Sequence, residues 1–279
     1  FGSDKQKDRY LKSLGAGDLI GCFGLTEPNH GSDPGSMETR LVRDTNRYRL
    51  SGSKMWITNA PLADIAVIWA KNENNKVQGV VLEMDRPGIR VETIEGKWSL
   101  RASSTGTIYL DDVKVEEDDL LPGAIGLGYA LKCLNKARFG ISWGAIGAAM
   151  DCYHTALSYA LEREQFGRVI GGFQLTQKKL AEMITSIAQA QLMAFRLGEL
   201  ADEGHVTSAQ ISMTKRSNVF MALQVAREAR QILGAMGITN DYPIMRHMVN
   251  LETVITYEGT HDIHLLITGQ DVTGIAAYK

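Results

Sequence analysis

The feature that most constrains this chain is a change of hydrophobic period at Pro122-Gly123. Before it, from about Cys22 to Glu117, apolar residues come in short runs broken by turn residues. Examples are Ile65-Ala66-Val67-Ile68-Trp69-Ala70, Gly79-Val80-Val81-Leu82-Glu83-Met84, Val91-Glu92-Thr93-Ile94 and Thr107-Ile108-Tyr109-Leu110. Runs of that length read as strands, and Asn29-His30-Gly31-Ser32-Asp33-Pro34-Gly35 and Arg86-Pro87-Gly88 supply the turn chemistry between them. After it, apolar residues recur every three or four positions with few breakers, which predicts helices near 127–164, 174–203, 207–236 and 242–254, and a last one after Gly259. Closely spaced strands predict a barrel or sandwich, and antiparallel helices on short links predict a bundle. The expected class is therefore α+β multidomain, a β-barrel domain over 21–122 followed by a four-helix bundle over 123–279.

A chain of 279 residues has enough apolar material for two cores. Its formal net charge of -2 provides no field to draw in nucleic acid or an anionic membrane, so any anionic ligand must be held locally. Cys22, Cys133 and Cys152 are too few and too scattered for a disulfide framework or a metal knuckle, and they read as packing residues in a reducing compartment. No apolar run approaches the roughly 20 residues that cross a bilayer. The opening segment through Asp4-Lys5-Gln6-Lys7-Asp8-Arg9-Tyr10-Leu11 already reads as an amphipathic helix, and Phe1 is not an initiator Met. We expect the chain to begin inside a longer protein, so the absence of a targeting segment says little about compartment.

Three segments carry chemistry, each with a plainer reading beside it. Phe23-Gly24-Leu25-Thr26-Glu27-Pro28-Asn29-His30-Gly31-Ser32-Asp33 is a strand entering a loop rich in Gly, Ser and Thr, able to aim N–H groups and hydroxyls into a cleft or to be a surface turn. Lys54-Met55-Trp56-Ile57-Thr58-Asn59 sets an aromatic ring and a hydroxyl near a strand end, where Trp56 could stack on a planar cofactor; taken alone, core packing is the better reading. Thr256-Tyr257-Glu258-Gly259-Thr260-His261-Asp262-Ile263-His264 breaks a helical pattern at Gly259 and restarts it with Thr260 as N-cap. Glu258 falls in that joint, where apolar neighbours can raise a carboxyl toward the range of a general base, although spacing alone favours a solvated cap. His261 and His264 share a helix face without a third ligand, so no metal site is expected. Gly123-Ala124-Ile125-Gly126-Leu127-Gly128 lacks the surrounding βαβ unit of a nucleotide loop.

Taken in order, these strings resemble the acyl-CoA dehydrogenase family. The likeness rests on Leu25-Thr26-Glu27-Pro28 with Gly31-Ser32-Asp33, Trp56-Ile57-Thr58, Arg163-Glu164-Gln165-Phe166-Gly167 and Tyr257-Glu258-Gly259-Thr260, and it runs the length of the chain. Within the family the fuller strings Gly21-Cys22-Phe23-Gly24, Lys97-Trp98-Ser99-Leu100-Arg101-Ala102-Ser103 and Cys133-Leu134-Asn135-Lys136-Ala137-Arg138 are most similar to glutaryl-CoA dehydrogenases. The resemblance implies that residues 1–20 close an N-terminal helical domain that is otherwise missing, together with the residues that would grip the substrate's distal carboxylate.

The same resemblance implies FAD and a catalytic base, Glu258, that removes the α-proton of an acyl thioester as the β-hydrogen leaves as hydride. Matching positions give Phe23, Leu25, Thr26, Ser32, Trp56, Ile57, Thr58, Arg163, Phe166, Gln174, Gln231, Gly234 and Thr260 to the flavin. Ser32, Leu131, Asn135, Arg138, Tyr257 and Gly259 go to the acyl-CoA, with a helix-surface salt bridge as the alternative for Arg138. Tyr257 is similar to the residue of decarboxylating members, which favours glutaryl-CoA going to crotonyl-CoA and CO2. Implied partners are electron-transferring flavoprotein and further copies of the chain, as a tetramer; nucleic acid and membrane insertion are not implied. A bacterial cytoplasm or a mitochondrial matrix would suit such an enzyme. The rival readings are a dehydrogenase of another short or branched acyl-CoA, and an inactive flavin-binding or oligomerisation fragment.

Overall fold

The computed structural model describes residues 1–277, which form two compact units. The first unit comprises residues 1–97 and 101–133 and is built on one sheet. Its strands are β1 (Gly21–Gly24), β2 (Arg40–Asp44), β3 (Arg47–Thr58), β4 (Ile65–Lys71), β5 (Val77–Glu83), β6 (Ile89–Thr93), β7 (Thr105–Val115) and β8 (Leu120–Ile125). They are ordered β6-β7-β3-β2-β4-β5-β8, with β1 pairing in parallel with β4. Flanked by β1, β2 and β5, β4 is buried along nearly its whole length, which is why Ile65-Ala66-Val67-Ile68-Trp69-Ala70 reads as a continuous apolar run. The core gathers Leu41, Leu50, Ile68, Leu82, Ile108 and Val113.

The strands stand where the period placed them, but the expected barrel does not close. Closure needs the first and last strands to pair with matched tilt and stagger, and β6 and β8 instead end an open path. Arg90 and Glu92 put charge along β6, which suits an edge that stays unpaired.

Before the sheet comes α1 (Asp4–Ala16), opened by a Ser3–Gln6 capping box and closed at Gly17 in the left-handed region. Gln6 donates from Nε2 to the carbonyls of Asp118 and Leu120, at 2.8 and 3.0 Å, and the Tyr10 hydroxyl donates to Glu83. These buried polar contacts dock the helix on the sheet's flank.

The second unit comprises residues 98–100 and the chain from Leu134 onward. Its helices are α2 (Leu127–Glu162, which begins in the first unit), α3 (Gln174–Asp202), α4 (Ser208–Ile232), α5 (Ile244–Thr256) and α6 (His261–Thr273). The third predicted helix stops four residues early because Gly234 takes φ +60 and opens a short 3-10 turn, Gly234–Ile238. A small hairpin of β9 (Glu164–Gln165) and β10 (Arg168–Val169) joins α2 to α3. The core is rich in alanine, with Ala149, Ala156, Ala190, Ala194, Ala222 and Ala226 among its buried residues, which lets helix backbones approach closely. Among the described residues no helix is long and apolar enough to cross a membrane.

Candidate active site

In the helical unit the sequence Thr256-Tyr257-Glu258-Gly259-Thr260 turns the chain from α5 into α6. Tyr257 caps α5, its N–H donating to Thr253 O at 2.9 Å, and Thr260 caps α6, its hydroxyl accepting from Ile263 N at 3.2 Å. Between the caps Glu258 takes φ +55 and Gly259 φ +91. Two successive left-handed residues reverse the chain in minimal length, and the second must be glycine: a Cβ there would meet His264 Nε2 at 2.8 Å.

The carbonyls of this turn point at positively charged or ring donors from three helices. Arg138 of α2 donates from Nε to Glu258 O at 2.7 Å and from Nη1 to Asn135 Oδ1 at 3.2 Å. Lys215 of α4 donates to Tyr257 O and to Gly259 O, both at 2.9 Å. His264 of α6 places Nε2 3.2 Å from Glu258 O. A further layer holds α2 in place: the Ser142 hydroxyl donates to Arg138 O, and Asn218 Nδ2 donates to Ser142 O and Ala190 O.

Oε2 of the Glu258 side chain is buried and without a hydrogen-bond partner among the described residues, and the carboxyl is close enough to Arg138 and Lys215 to feel both charges. Burial pushes its carboxyl above the usual range, and the charges of Arg138 and Lys215 oppose that rise without cancelling it. Burial, then the Lys215 and Arg138 charges, push His264 down to about 3, so the ring is neutral. Tyr257 is pushed up by burial and by the Glu258 charge and stays a phenol. A carboxyl with a raised pKa and a buried oxygen without a hydrogen-bond partner is equipped to accept a proton from a weakly polar donor. Beside it an apolar groove of about 180 Å³ runs between α2 and α5, lined by Ile141, Ala145, Ala148, Leu251, Val254 and Tyr257.

In the β unit, β1 delivers Leu25, Thr26 and Glu27 to the end of β3. Lys54 donates to Leu25 O at 3.1 Å and to Glu27 Oε1 at 2.8 Å, and Glu27 also accepts from the N–H and hydroxyl of Thr39. Met55 N donates to Thr26 O at 2.9 Å because the β3 ladder with β7 skips between Lys54 and Ile57. At that bulge Trp56 takes φ +63. Its side chain is 55% exposed, which overturns the core reading of this residue, while Ile57 is the buried one. Thr58, two residues on and back in the ladder with β7, is exposed as well.

The residues singled out from sequence thus fall into groups. Arg138, Asn135, Tyr257, Glu258, Gly259 and Thr260 come together at the turn. Arg138 is a buried residue serving a backbone carbonyl and not a surface salt bridge. Leu25, Thr26, Trp56, Ile57 and Thr58 come together in the β unit, with half-buried Phe23 packed toward Trp69 and Ser32 exposed in the following loop. Arg163 precedes the β9–β10 hairpin and Phe166, 94% exposed, lies in its turn, Gln174 opens α3, and Gln231 and Gly234 mark the end of α4. Leu131 is half-buried in the part of α2 that belongs to the first unit. Sequence reasoning missed Lys54 and Lys215 and gave His264 no role at the turn. Lys215 did leave a signal, because it occupies the apolar stripe Ile211, Lys215, Val219, Ala222, Ala226, Ala229, all buried.

Residues 22–113 match the family model described as acyl-CoA dehydrogenase, middle domain, and residues 125–273 match acyl-CoA dehydrogenase, C-terminal domain. An acyl-CoA dehydrogenase of Bacillus subtilis (strain 168) is 35% identical over 280 residues, 98% of this chain and 74% of the relative. The crystal structure of glutaryl-CoA dehydrogenase from Mycobacterium smegmatis superposes with a TM-score of 0.99 at 52% identity, covering 100% of this chain and 72% of that one. A second glutaryl-CoA dehydrogenase structure from Mycobacterium smegmatis, in complex with FADH2, gives 0.98 at 46% identity with the same coverage.

Proposed function

We propose a reaction from one premise, that the chain belongs to the acyl-CoA dehydrogenase family. The reading is a flavin-dependent α,β-dehydrogenation of an acyl-CoA thioester with Glu258 as base and glutaryl-CoA as substrate. The observation that carries it is the buried, unpartnered Oε2 of Glu258 in a turn held by three helices. Likeness to glutaryl-CoA dehydrogenases supports the choice of substrate.

The residues present fit FAD. An exposed indole beside an exposed threonine hydroxyl, on a strand end tied to the Leu25-Thr26 loop, offers a flat apolar face with hydrogen-bonding groups at its edge. When bound, FAD supplies the acceptor for the β-hydrogen as hydride. Glu258 Oε2 takes the α-proton, and the raised carboxyl pKa brings its basicity closer to that of the weak carbon acid. Tyr257, neutral and next in the chain, lies beside the apolar groove that suits an acyl chain. With a glutaryl chain the product, glutaconyl-CoA, carries a carboxylate placed to leave as CO2, its electron pair delocalised onto the thioester; protonation gives crotonyl-CoA. Electron-transferring flavoprotein would then take the electrons. Leu175, Leu192 and Phe195, exposed on α3, suit a contact between subunits of a homotetramer.

The test is anaerobic mixing of flavin-loaded protein with glutaryl-, isovaleryl- and butyryl-CoA, reading flavin bleaching and CO2 release. Fastest bleaching with glutaryl-CoA, yielding crotonyl-CoA and CO2, is the expected result. Faster bleaching by another thioester would move the substrate, and no bleaching by any would remove the reaction.

A further inference from the structure

The reaction above uses Glu258 and leaves open why a lysine lies in the apolar stripe of α4, 1% exposed. Its ammonium bridges two carbonyls, Tyr257 O and Gly259 O, which flank the carbonyl of the residue between them. That middle carbonyl is taken by Arg138 and His264. Three consecutive carbonyl oxygens therefore converge on the interior, where their negative ends would repel one another without a cation among them. We propose that Lys215 is the positioning residue of the base: it clamps the turn on both sides of Glu258, and its charge keeps the facing carboxyl able to ionise. The inference rests on the reading of Glu258 as base.

The groups that act on this ammonium among the described residues come from three elements. Arg138 comes from α2, His264 from α6, and Tyr257 and Glu258 from the turn itself. His264 is neutral and Tyr257 is a phenol, so the charges that act are Arg138, Lys215 and the Glu258 carboxylate. Burial and then the Arg138 charge bring Lys215 down to about 8, with Glu258 opposing, so the clamp is cationic at neutral pH. Burial raises the Glu258 carboxyl and the two cations pull it back. Removing one leaves burial less opposed, so less of the base is ionised at a given pH. Asn135 Oδ1 and Glu258 O already fix the Arg138 guanidinium, which leaves Lys215 as the group spanning the turn.

The experiment compares flavin-loaded wild type, Lys215→Met, Lys215→Gln and Glu258→Gln. The carboxyl infrared band that Glu258→Gln abolishes is titrated in the Lys215 variants, and flavin reduction by the preferred thioester is followed over the same pH series. Both Lys215 variants should move the band's titration up by about one unit and slow reduction about tenfold at neutral pH, with part of the rate returning as pH rises. Glutamine keeps a donor for the carbonyls but no charge, so it separates charge from shape and serves if Lys215→Met does not fold. A lower melting temperature with an unmoved titration would make Lys215 a merely structural residue and overturn the proposal. If Glu258→Gln reduced flavin at the parental rate, the base reading would fail instead, and the infrared titration would still decide whether Lys215 governs that carboxyl.

Discussion

Lys54 Nζ stands 2.8 Å from Glu27 Oε1 with both side chains buried, an ion pair closed inside the β unit. Burial pulls Lys54 down to about 8 against the pull of Glu27. Burial pushes the Glu27 carboxyl up, but the bonds from the Glu38 N–H, Lys54 and Thr39 outweigh it and leave the carboxyl below its usual range. Removing one partner strands a buried charge, so Lys54→Met should lower the unfolding free energy by about 3–5 kcal/mol in urea titrations and weaken flavin retention through the lost bond to Leu25 O. Adding Glu27→Gln to it should cost less than the sum of the two single changes; simple additivity would show that the pair does not act as a unit.

Glu258→Gln should keep flavin bound and reduce it at least about a hundredfold more slowly in stopped flow, since an amide keeps the side chain's shape but cannot accept the α-proton. Glu27→Gln is the control, expected to change flavin affinity and loop geometry more than the proton-transfer step, because its carboxylate is already committed to Thr39 and Lys54. A dead Glu27→Gln enzyme with flavin still bound would reassign the base.

Gly259→Ala combines a φ of +91 with a Cβ 2.8 Å from His264 Nε2 and 3.2 Å from Arg138 Nη2. We expect a loss of roughly 1–3 kcal/mol in stability, and a greater fractional loss in flavin reduction than in flavin binding, because the neighbours that must shift are those holding Glu258. Equal losses in binding and reduction would place the damage elsewhere.

The acid limb of stability should carry the signature of His264. Burial and the Lys215 and Arg138 charges set its folded pKa near 3 against an ordinary 6.5, so between those values the unfolded chain binds the extra proton. Stability therefore rises with pH across that window and is lost as pH falls through it, with a slope of up to about 1.4 kcal/mol per pH unit. Glu258 has the opposite sign, since its raised carboxyl favours the folded state on the acid side. Replacing His264 with Gln should remove the rising slope between about pH 3 and 6.5 in urea midpoints while leaving the Glu258 contribution in place.

The helices were legible because their signal is local. A three- to four-residue period marked α2 to α5 to within a few residues, and Gly259 announced the break between α5 and α6 because few other residues enter the left-handed region cheaply. The strands were legible for the same reason, and the joint that holds Glu258 was legible too, although spacing alone favoured a solvated cap there and the burial of its Oε2 came only with the fold. Trp56 was misread from spacing alone, because strict alternation puts it on the side of Lys54, which is buried. The bulge between Lys54 and Ile57 breaks that alternation and leaves the ring exposed.

What the sequence determined by itself was thus the order of elements, the two folding periods and the position of the turn that carries Glu258, all set by residues within a few positions of one another. Whether the sheet closes was decided only in three dimensions, since β6 and β8 lie tens of residues apart in the chain. The same holds for the surroundings of Glu258. Arg138 is 120 residues from Glu258 in the chain and Lys215 is 42 from Tyr257, and no local pattern links such pairs. A lysine in an apolar stripe is an anomaly in one dimension. Tertiary packing set it against two carbonyls of a left-handed turn, because a buried ammonium needs acceptors and that turn needed a cation.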